Sequence, residues 1–213
     1  MLKERPILFN GDMVRALLDG RKTQTRRVIK SPPPEGCGLI EVGTFAPIVI
    51  DQKGEQQPGP DTFGAFSECG EWGLKCPYGQ PGDRLWVREN FLHLIHGDEP
   101  ESGVKYCASI DSRSTGSSKN PGYWWRKRPS IHMPRWASRI TLEIVSVRVE
   151  RLQEVTLGDI CKEGIARSIY EFIPATDGFR VWRGLWESIN GAESWASNPW
   201  VWVVEFKCVE ASQ

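Results

Sequence analysis

The sequence lacks the motifs of several common protein classes. None of its six cysteines belongs to a Cys-x-x-Cys pair, and the interval from Cys69 to Cys76 is longer than in a usual zinc knuckle. No apolar run of about 18 residues is present, and residues 1–5 lack the apolar stretch of a signal peptide. We therefore expect a cytoplasmic protein with reduced thiols, no membrane partner, no cofactor and no metal. A structural metal is the alternative.

The chain also lacks a net charge, because 27 basic and 27 acidic residues cancel. This excludes a global attraction to nucleic acid, but the charges are unevenly distributed. No acidic residue stands between Asp111 and Glu143, a stretch that holds seven lysines and arginines, and a second basic segment covers residues 21–30. If folding brings the two segments together, they form a basic groove; if not, both are ordinary solvated surface.

Tryptophan, by contrast, is abundant, with ten residues in 213. Aromatic side chains usually supply core area, and we expect this of Trp182, Trp186, Trp200 and Trp202. Trp124 and Trp125 directly precede the basic run 126–128, an arrangement that also suits base stacking beside phosphate contacts. For these two residues, and for Trp136, core and binding surface both remain open.

The run Gly20–Arg27 carries the strongest local signal. It places four cations and two threonine hydroxyls behind a glycine, with no acidic residue among them. A helix beginning at Asn10 or Gly11 is predicted before it, and Gly20 is the residue type that ends such a helix. The run therefore indicates a site for phosphate, for a polar nucleophile, or for both.

The remaining pattern predicts an α+β fold, a small and mainly antiparallel β-barrel with a few flanking helices. The apolar parity of residues 140–149 flips midway, which indicates a β-bulge. Thr156 and Gly164 bound one predicted helix, and a second covers 178–189 with Phe179, Trp182, Trp186 and Ile189 inward. We expect a single domain over residues 1–213, with insertions at about 31–80 and 97–122.

Gly20-Arg21-Lys22-Thr23-Gln24-Thr25-Arg26-Arg27 resembles the signature of the ASCH domain family, which implies a PUA-like β-barrel. Segments 81–87, 149–165 and 203–208 are similar to further parts of that pattern, and 129–136 and 198–202 resemble longer members from phages and prophages. The resemblance extends to small bacterial amidohydrolases that act on N4-acetylcytidine. It implies that Lys22, Thr25 and Glu163 are catalytic; other family members are implied to bind RNA.

Hydrolysis of an amide needs a nucleophile and a proton acceptor. Thr25 and Lys22 would supply them only if the chain stays curled through Thr25, because an extended strand points the two side chains to opposite faces. Lowering the pKa of lysine from about 10.4 to about 7–8 requires about 4 kcal/mol. Since a close carboxylate would oppose this, we expect Glu163 to orient groups or carry a proton rather than to pair tightly with Lys22. Alternatively, the lysine and arginines simply bind phosphate.

Other residues complete the predicted cleft. We expect phosphate or nucleic-acid contacts from Arg21, Arg26, Arg27 and Arg135. Ser130 and His132 share a face if their segment is extended, and Glu89 either faces the cleft or forms a structural ion pair. Three functions follow: binding of RNA or a modified nucleoside, hydrolysis of an N-acylated nucleoside, and, for a phage accessory protein, binding of a host protein.

Overall fold

The computed structural model describes residues 3–96, 99–109 and 123–211. Within them the chain is a mixed α+β fold with 13 strands, mainly antiparallel, and three α-helices. The helices are α1 (Gly11–Leu18), α2 (Leu157–Lys162) and α3 (Thr176–Asn190). The strands are β1 (Glu4–Leu8), β2 (Gln24–Val28), β3 (Ile40–Phe45), β4 (Ile48–Ile50), β5 (Gln56–Pro58), β6 (Thr62–Ser67), β7 (Gly73–Lys75), β8 (Arg84–Arg88), β9 (Phe91–His96), β10 (Glu99–Tyr106), β11 (Tyr123–Arg128), β12 (Ile140–Arg151) and β13 (Trp200–Ala211).

A five-stranded sheet in the order β1-β8-β12-β13-β2 forms the centre of the fold. β1 and β8 are parallel, and the other neighbours are antiparallel. The described strands do not close into a barrel, because β1 and β2 are the two edges of this sheet. The Arg27 side chain nevertheless reaches across, and its Nη2 donates to the carbonyl oxygen of Leu8 at 2.6 Å. The mainly antiparallel α+β class is therefore confirmed, whereas a closed barrel is not seen.

Short-range sequence signals were accurate in this sheet. The pairing of β12 with β13 shifts register between Ile144 and Ser146, where the parity flip predicted a bulge. The bulge lets both parts of β12 contribute to the core, in which Leu85, Leu142 and Phe206 pack under α1. Residues 84–96 form two strands, β8 and β9, which are separated at residues 89 and 90.

The two insertions differ in how much of them is described. Residues 31–80 contain β3 to β7, in one three-stranded and one two-stranded sheet, and Phe63 and Trp72 pack against Trp202. The second insertion contributes β10, which forms a sheet with the flanking strands β9 and β11. Residues 97–98 and 110–122 lie outside the described residues, and so does the first part of the basic stretch between Asp111 and Glu143.

The helices begin where the sequence predicted. Asn10 Oδ1 accepts from the amide of Met13 at the start of α1, and Thr156 and Asp159 form a reciprocal capping box at the start of α2. On α3, Trp182 and Trp186 are buried, but Phe179 and Ile189 are 37% and 51% exposed, so their predicted inward orientation was wrong. No helix in the described residues is long and apolar enough to cross a membrane.

Candidate functional site

The predicted site begins at the end of α1. The amides of Arg21 and Lys22 both donate to the carbonyl oxygen of Ala16, at 2.8 and 3.0 Å, and Gly20 has a φ of +70°. The chain then extends into β2, where Thr25 pairs with Val204 of β13. The curl thus ends before Thr25, so the condition for a catalytic Lys22–Thr25 pair, a curl that continues through Thr25, is not met. Backbone pairing with β13 is the physical reason.

Lys22 and Glu163 meet although 141 residues separate them. Lys22 Nζ donates to Glu163 Oε2 at 2.8 Å and to the carbonyl oxygens of Glu163 and Gln24 at 2.9 Å each. Their side chains are only 0% and 3% exposed. The expectation that Glu163 would not pair tightly with Lys22 was therefore wrong, because a lysine enclosed to this degree needs acceptors for all three of its N–H groups.

Gly164 allows this close approach. It has a φ of +91°, and a Cβ atom placed on it would lie 2.8 Å from the Cβ of Ala16 and 2.9 Å from the Cβ of Lys22. Both distances are too short for real side chains, so only glycine fits between α1 and the end of α2. The glycine that ends α2 thus also brings Glu163 against Lys22.

The environment of Lys22 lowers its pKa. Burial lowers the pKa of Lys22, and the positive charges of Arg27 and Arg26 lower it further, whereas Glu163 opposes the shift. Lys22 Nζ also lies 5.4 Å from the centre of the Phe9 ring. Burial outweighs the carboxylate, so the pKa of Lys22 stays below its ordinary value in spite of the ion pair.

Arg26 belongs to the same buried cluster. Its guanidinium pairs with Glu150 at 2.5 Å and with Asp159 and Glu163 at 3.3 Å each, and its side chain is fully buried. It is therefore committed to carboxylates, and its expected contact with phosphate is not supported. Arg21 is occupied in a similar way, since it donates to Asp19 and to the carbonyl oxygen of Gly164.

A more exposed ionic layer surrounds the cluster. Arg148 contacts Glu150, Asp159 and Glu205 at 3.0 Å each. Burial would raise the pKa of Asp159, but hydrogen bonds from Thr156 and the charges of Arg26 and Arg148 lower it to about 2. Asp159 therefore remains ionised at neutral pH and helps to hold Arg26 in position.

A cavity of about 300 Å³ lies beside the cluster. Thr25, Arg27 and Glu163 line it together with Trp182 and Trp186 of α3. Lys22 does not line the cavity and reaches it only through Glu163. Within the described residues, Lys22 Nζ donates to Glu163 and to the carbonyl oxygen of Gln24 rather than to the Thr25 hydroxyl. The direct contact of base and nucleophile that hydrolysis would use is therefore not formed.

Only some of the other predicted cleft residues lie here. Ser130 lines the cavity, and its amide donates to Asn90 Oδ1 at 2.9 Å. Ser130–His132 is a 3₁₀ turn rather than an extended segment, which removes the basis for placing the two side chains on one face, and His132 is exposed. Glu89 is buried and forms a two-point ion pair with Arg139, which favours its structural role.

The remaining candidates do not line the cavity. Arg135 pairs with Glu4 at 2.9 Å. Trp136 is exposed and packs against His93, and Trp124 is an exposed residue of β11. A common groove formed by Arg135 and the Gly20–Arg27 run is therefore not supported.

Sequence reasoning assigned two cavity residues to the core alone. Trp182 and Trp186 are core residues, 3% exposed, but they also line the cavity, as does Phe9. Their apolar spacing on α3 indicated only that they are buried, and no local pattern distinguishes a core wall from a cavity wall.

Comparison of the chain with protein-family models, with curated proteins and with solved structures finds no match.

Proposed function

We propose that the protein binds a single modified nucleoside or nucleotide in the cavity beside the Gly20–Arg27 run. The observation that carries the proposal is the composition of the cavity lining, which combines Trp182 and Trp186 with the polar groups of Thr25, Arg27 and Glu163. Aromatic faces suit a planar base, and a few fixed polar groups give orientation. A volume of about 300 Å³ is at the lower end of small-molecule sites, which favours one nucleoside over a polymer.

Binding of RNA is the alternative ligand class. It gains less support, because Arg21 and Arg26 are engaged with Asp19 and with buried carboxylates. The exposed basic residues Arg126 and Lys127 on β11 are its best remaining contacts. A strong decrease of affinity with salt would then be expected, since counterions are released when phosphates are neutralised.

Calorimetric titration with cytidine, N4-acetylcytidine and a single-stranded RNA 12-mer separates these alternatives. We expect a nucleoside to bind and Trp182→Phe to weaken it, because this substitution removes contact area and an indole N–H from the wall. Trp136→Phe is the matched control, since Trp136 is exposed and outside the cavity. Salt-dependent binding of RNA alone, unaffected by Trp182→Phe, would contradict the proposal.

Hydrolysis of an N-acylated nucleoside is the second candidate. Two observations favour it. Thr25 and Glu163 both line the cavity, and the pKa of Lys22, which contacts Glu163, is lowered. The Thr25 hydroxyl would attack the acyl carbon and release the amine, leaving an acyl ester on Thr25. The proton of the Thr25 hydroxyl would pass through the Glu163–Lys22 pair to the leaving amine. Water would then cleave the ester, release the carboxylic acid and restore the hydroxyl.

Thr25→Val tests this chemistry, because valine has nearly the same shape as threonine and lacks only the hydroxyl. We expect N4-acetylcytidine to be converted to cytidine by the wild type and by Thr25→Ser, and not by Thr25→Val. Binding of the nucleoside should survive in all three proteins. Equal turnover by Thr25→Val and the wild type would exclude Thr25 as nucleophile. If the wild type shows no turnover, hydrolysis is excluded and nucleoside binding is the candidate that remains.

The resemblance to the ASCH family fits both candidates and adds the proposal of a PUA-like barrel. Two features support it: the strongly bulged antiparallel sheet, and the bridge that Arg27 makes from β2 to the carbonyl of Leu8 on β1. Lys22 and Glu163, which the resemblance implies as partners in catalysis, lie in direct contact.

A further inference from the structure

The cations at the cavity are not compensated equally. Lys22 and Arg26 share the Glu163 carboxylate, and Arg26 has two further carboxylates. Arg27 has no ion pair within residues 3–96, 99–109 and 123–211. Its Nη2 donates to the Leu8 carbonyl, and its guanidinium carbon lies 5.3 Å from the centre of the Phe9 ring. Of the two arginines that line the cavity, Arg27 is therefore the one without a carboxylate partner in the described part of the chain.

Residues that line the cavity also carry buried hydrogen-bond donors without acceptors in the described part of the chain. In the part of the chain that the structure describes, five buried side-chain atoms lack a hydrogen-bond partner. Three of them belong to residues that line this one cavity: Arg27 Nε, Trp182 Nε1 and Trp186 Nε1. Unpaired buried donors are rare in native proteins because each is destabilising, so three around one cavity call for a common explanation.

We propose that the ligand is an anion whose phosphate or carboxylate group lies against Arg27 and accepts hydrogen bonds from the donors of this wall. A neutral ligand with carbonyl oxygens would satisfy the indole N–H groups but would leave the charge of Arg27 without a counter-charge. An anionic oxygen group satisfies both, and charge-assisted hydrogen bonds are the stronger kind. The proposal rests on the proposed function, since it specifies the ligand of that same cavity.

Two matched ligand pairs test the charge and distinguish its source. Cytidine is compared with cytidine 5′-monophosphate, and uracil with its carboxylate derivative orotate, by calorimetry at constant ionic strength. We expect the anion of at least one pair to bind about tenfold more tightly than its neutral partner. The pair that shows the preference identifies phosphate or carboxylate as the recognised group.

Variants then locate the preference. Arg27→Met keeps most of the aliphatic contact and removes the charge, so it should abolish the preference, and Arg27→Lys should restore part of it. Arg135→Met is the control, because Arg135 is an exposed arginine outside the cavity. Thermal unfolding confirms that each variant is folded.

The outcomes separate the two proposals. Equal affinity for the neutral and the anionic member of both pairs would overturn the anion proposal and leave the nucleoside function standing. A preference that persists in Arg27→Met would also overturn it. If no member of either pair binds, both proposals fail together.

Discussion

Removal of the Glu163 charge is the most direct perturbation of the buried cluster. In Glu163→Gln, Lys22 keeps the carbonyl acceptors of Glu163 and Gln24 but loses its carboxylate at 2.8 Å. Breaking a buried pair by removing one partner typically costs about 3–5 kcal/mol, because the remaining charge is uncompensated. We expect a loss of about 3 kcal/mol at pH 7, measured by urea unfolding with tryptophan fluorescence.

The loss should shrink as the pH rises. Because the pKa of Lys22 is lowered in the folded protein, the unfolded state binds more protons at pH values below 10.5, and stability increases with pH in that range. Without Glu163, which raises the pKa of Lys22, the pKa falls further and the range widens. The variant therefore regains stability relative to the wild type as the pH rises towards 10.5.

A control and a double variant complete the experiment. Glu193→Gln removes the charge of an exposed glutamate and should change stability by less than about 0.5 kcal/mol. In Lys22→Met/Glu163→Gln the loss should be smaller than the sum of the single losses, since no unpaired charge remains. A loss below about 1 kcal/mol at pH 7, or an equal loss at pH 7 and pH 10, would refute the reasoning.

Two further predictions concern the supports of the cluster. Gly164→Ala should lower the free energy of unfolding in urea by about 2–4 kcal/mol, because Gly164 has a positive φ and its new Cβ would make contacts below 3 Å. Gly184→Ala is the control: it has open space on α3 and should raise the free energy of unfolding by about 0.5–1 kcal/mol. Equal effects of the two substitutions would contradict the packing argument. Asp159→Asn should lose about 2 kcal/mol at pH 7, because the pKa of Asp159 falls from an ordinary 3.8 to about 2 in the fold. The stabilisation is present above about pH 4 and disappears as the pH falls to about 2, so an unfolding difference that persists undiminished at pH 2 would count against it.

Features that depend on neighbouring residues were predictable from the sequence. Asn10 caps α1 and Gly20 follows its end, because cap geometry depends on a few residues only. The bulge between Ile144 and Ser146 followed from the parity of a single strand. On α3 the periodicity identified Trp182 and Trp186 correctly but extended the buried face too far, since the buried residues of this helix are Gly178, Trp182 and Trp186.

Features that depend on distant residues were not predictable by the same means. Arg26 resembled a free phosphate ligand because no acid stands near it in the sequence, yet Glu150 and Asp159 neutralise it from 124 and 133 residues away. A catalytic pair of Lys22 and Thr25 required the curl after α1 to continue through Thr25, but pairing with β13 extends the chain there. The meeting of Lys22 with Glu163 was implied by the family resemblance alone, since no local pattern links two positions so far apart.

The buried Lys22–Glu163 pair calls for an explanation beyond stability. Replacing a buried ion pair by apolar residues of similar volume is often neutral or stabilising, so burial of such a pair does not by itself explain its presence. Glu163 joins the pair to the cavity, because its carboxylate contacts Lys22 and Arg26 and its side chain also lines the wall. If the pair serves the ligand, Lys22→Met/Glu163→Gln should stay folded and lose binding or turnover. If the pair serves only the fold, the same variant should bind as the wild type does. Stability and ligand affinity measured on this one protein therefore separate a structural from a functional cluster.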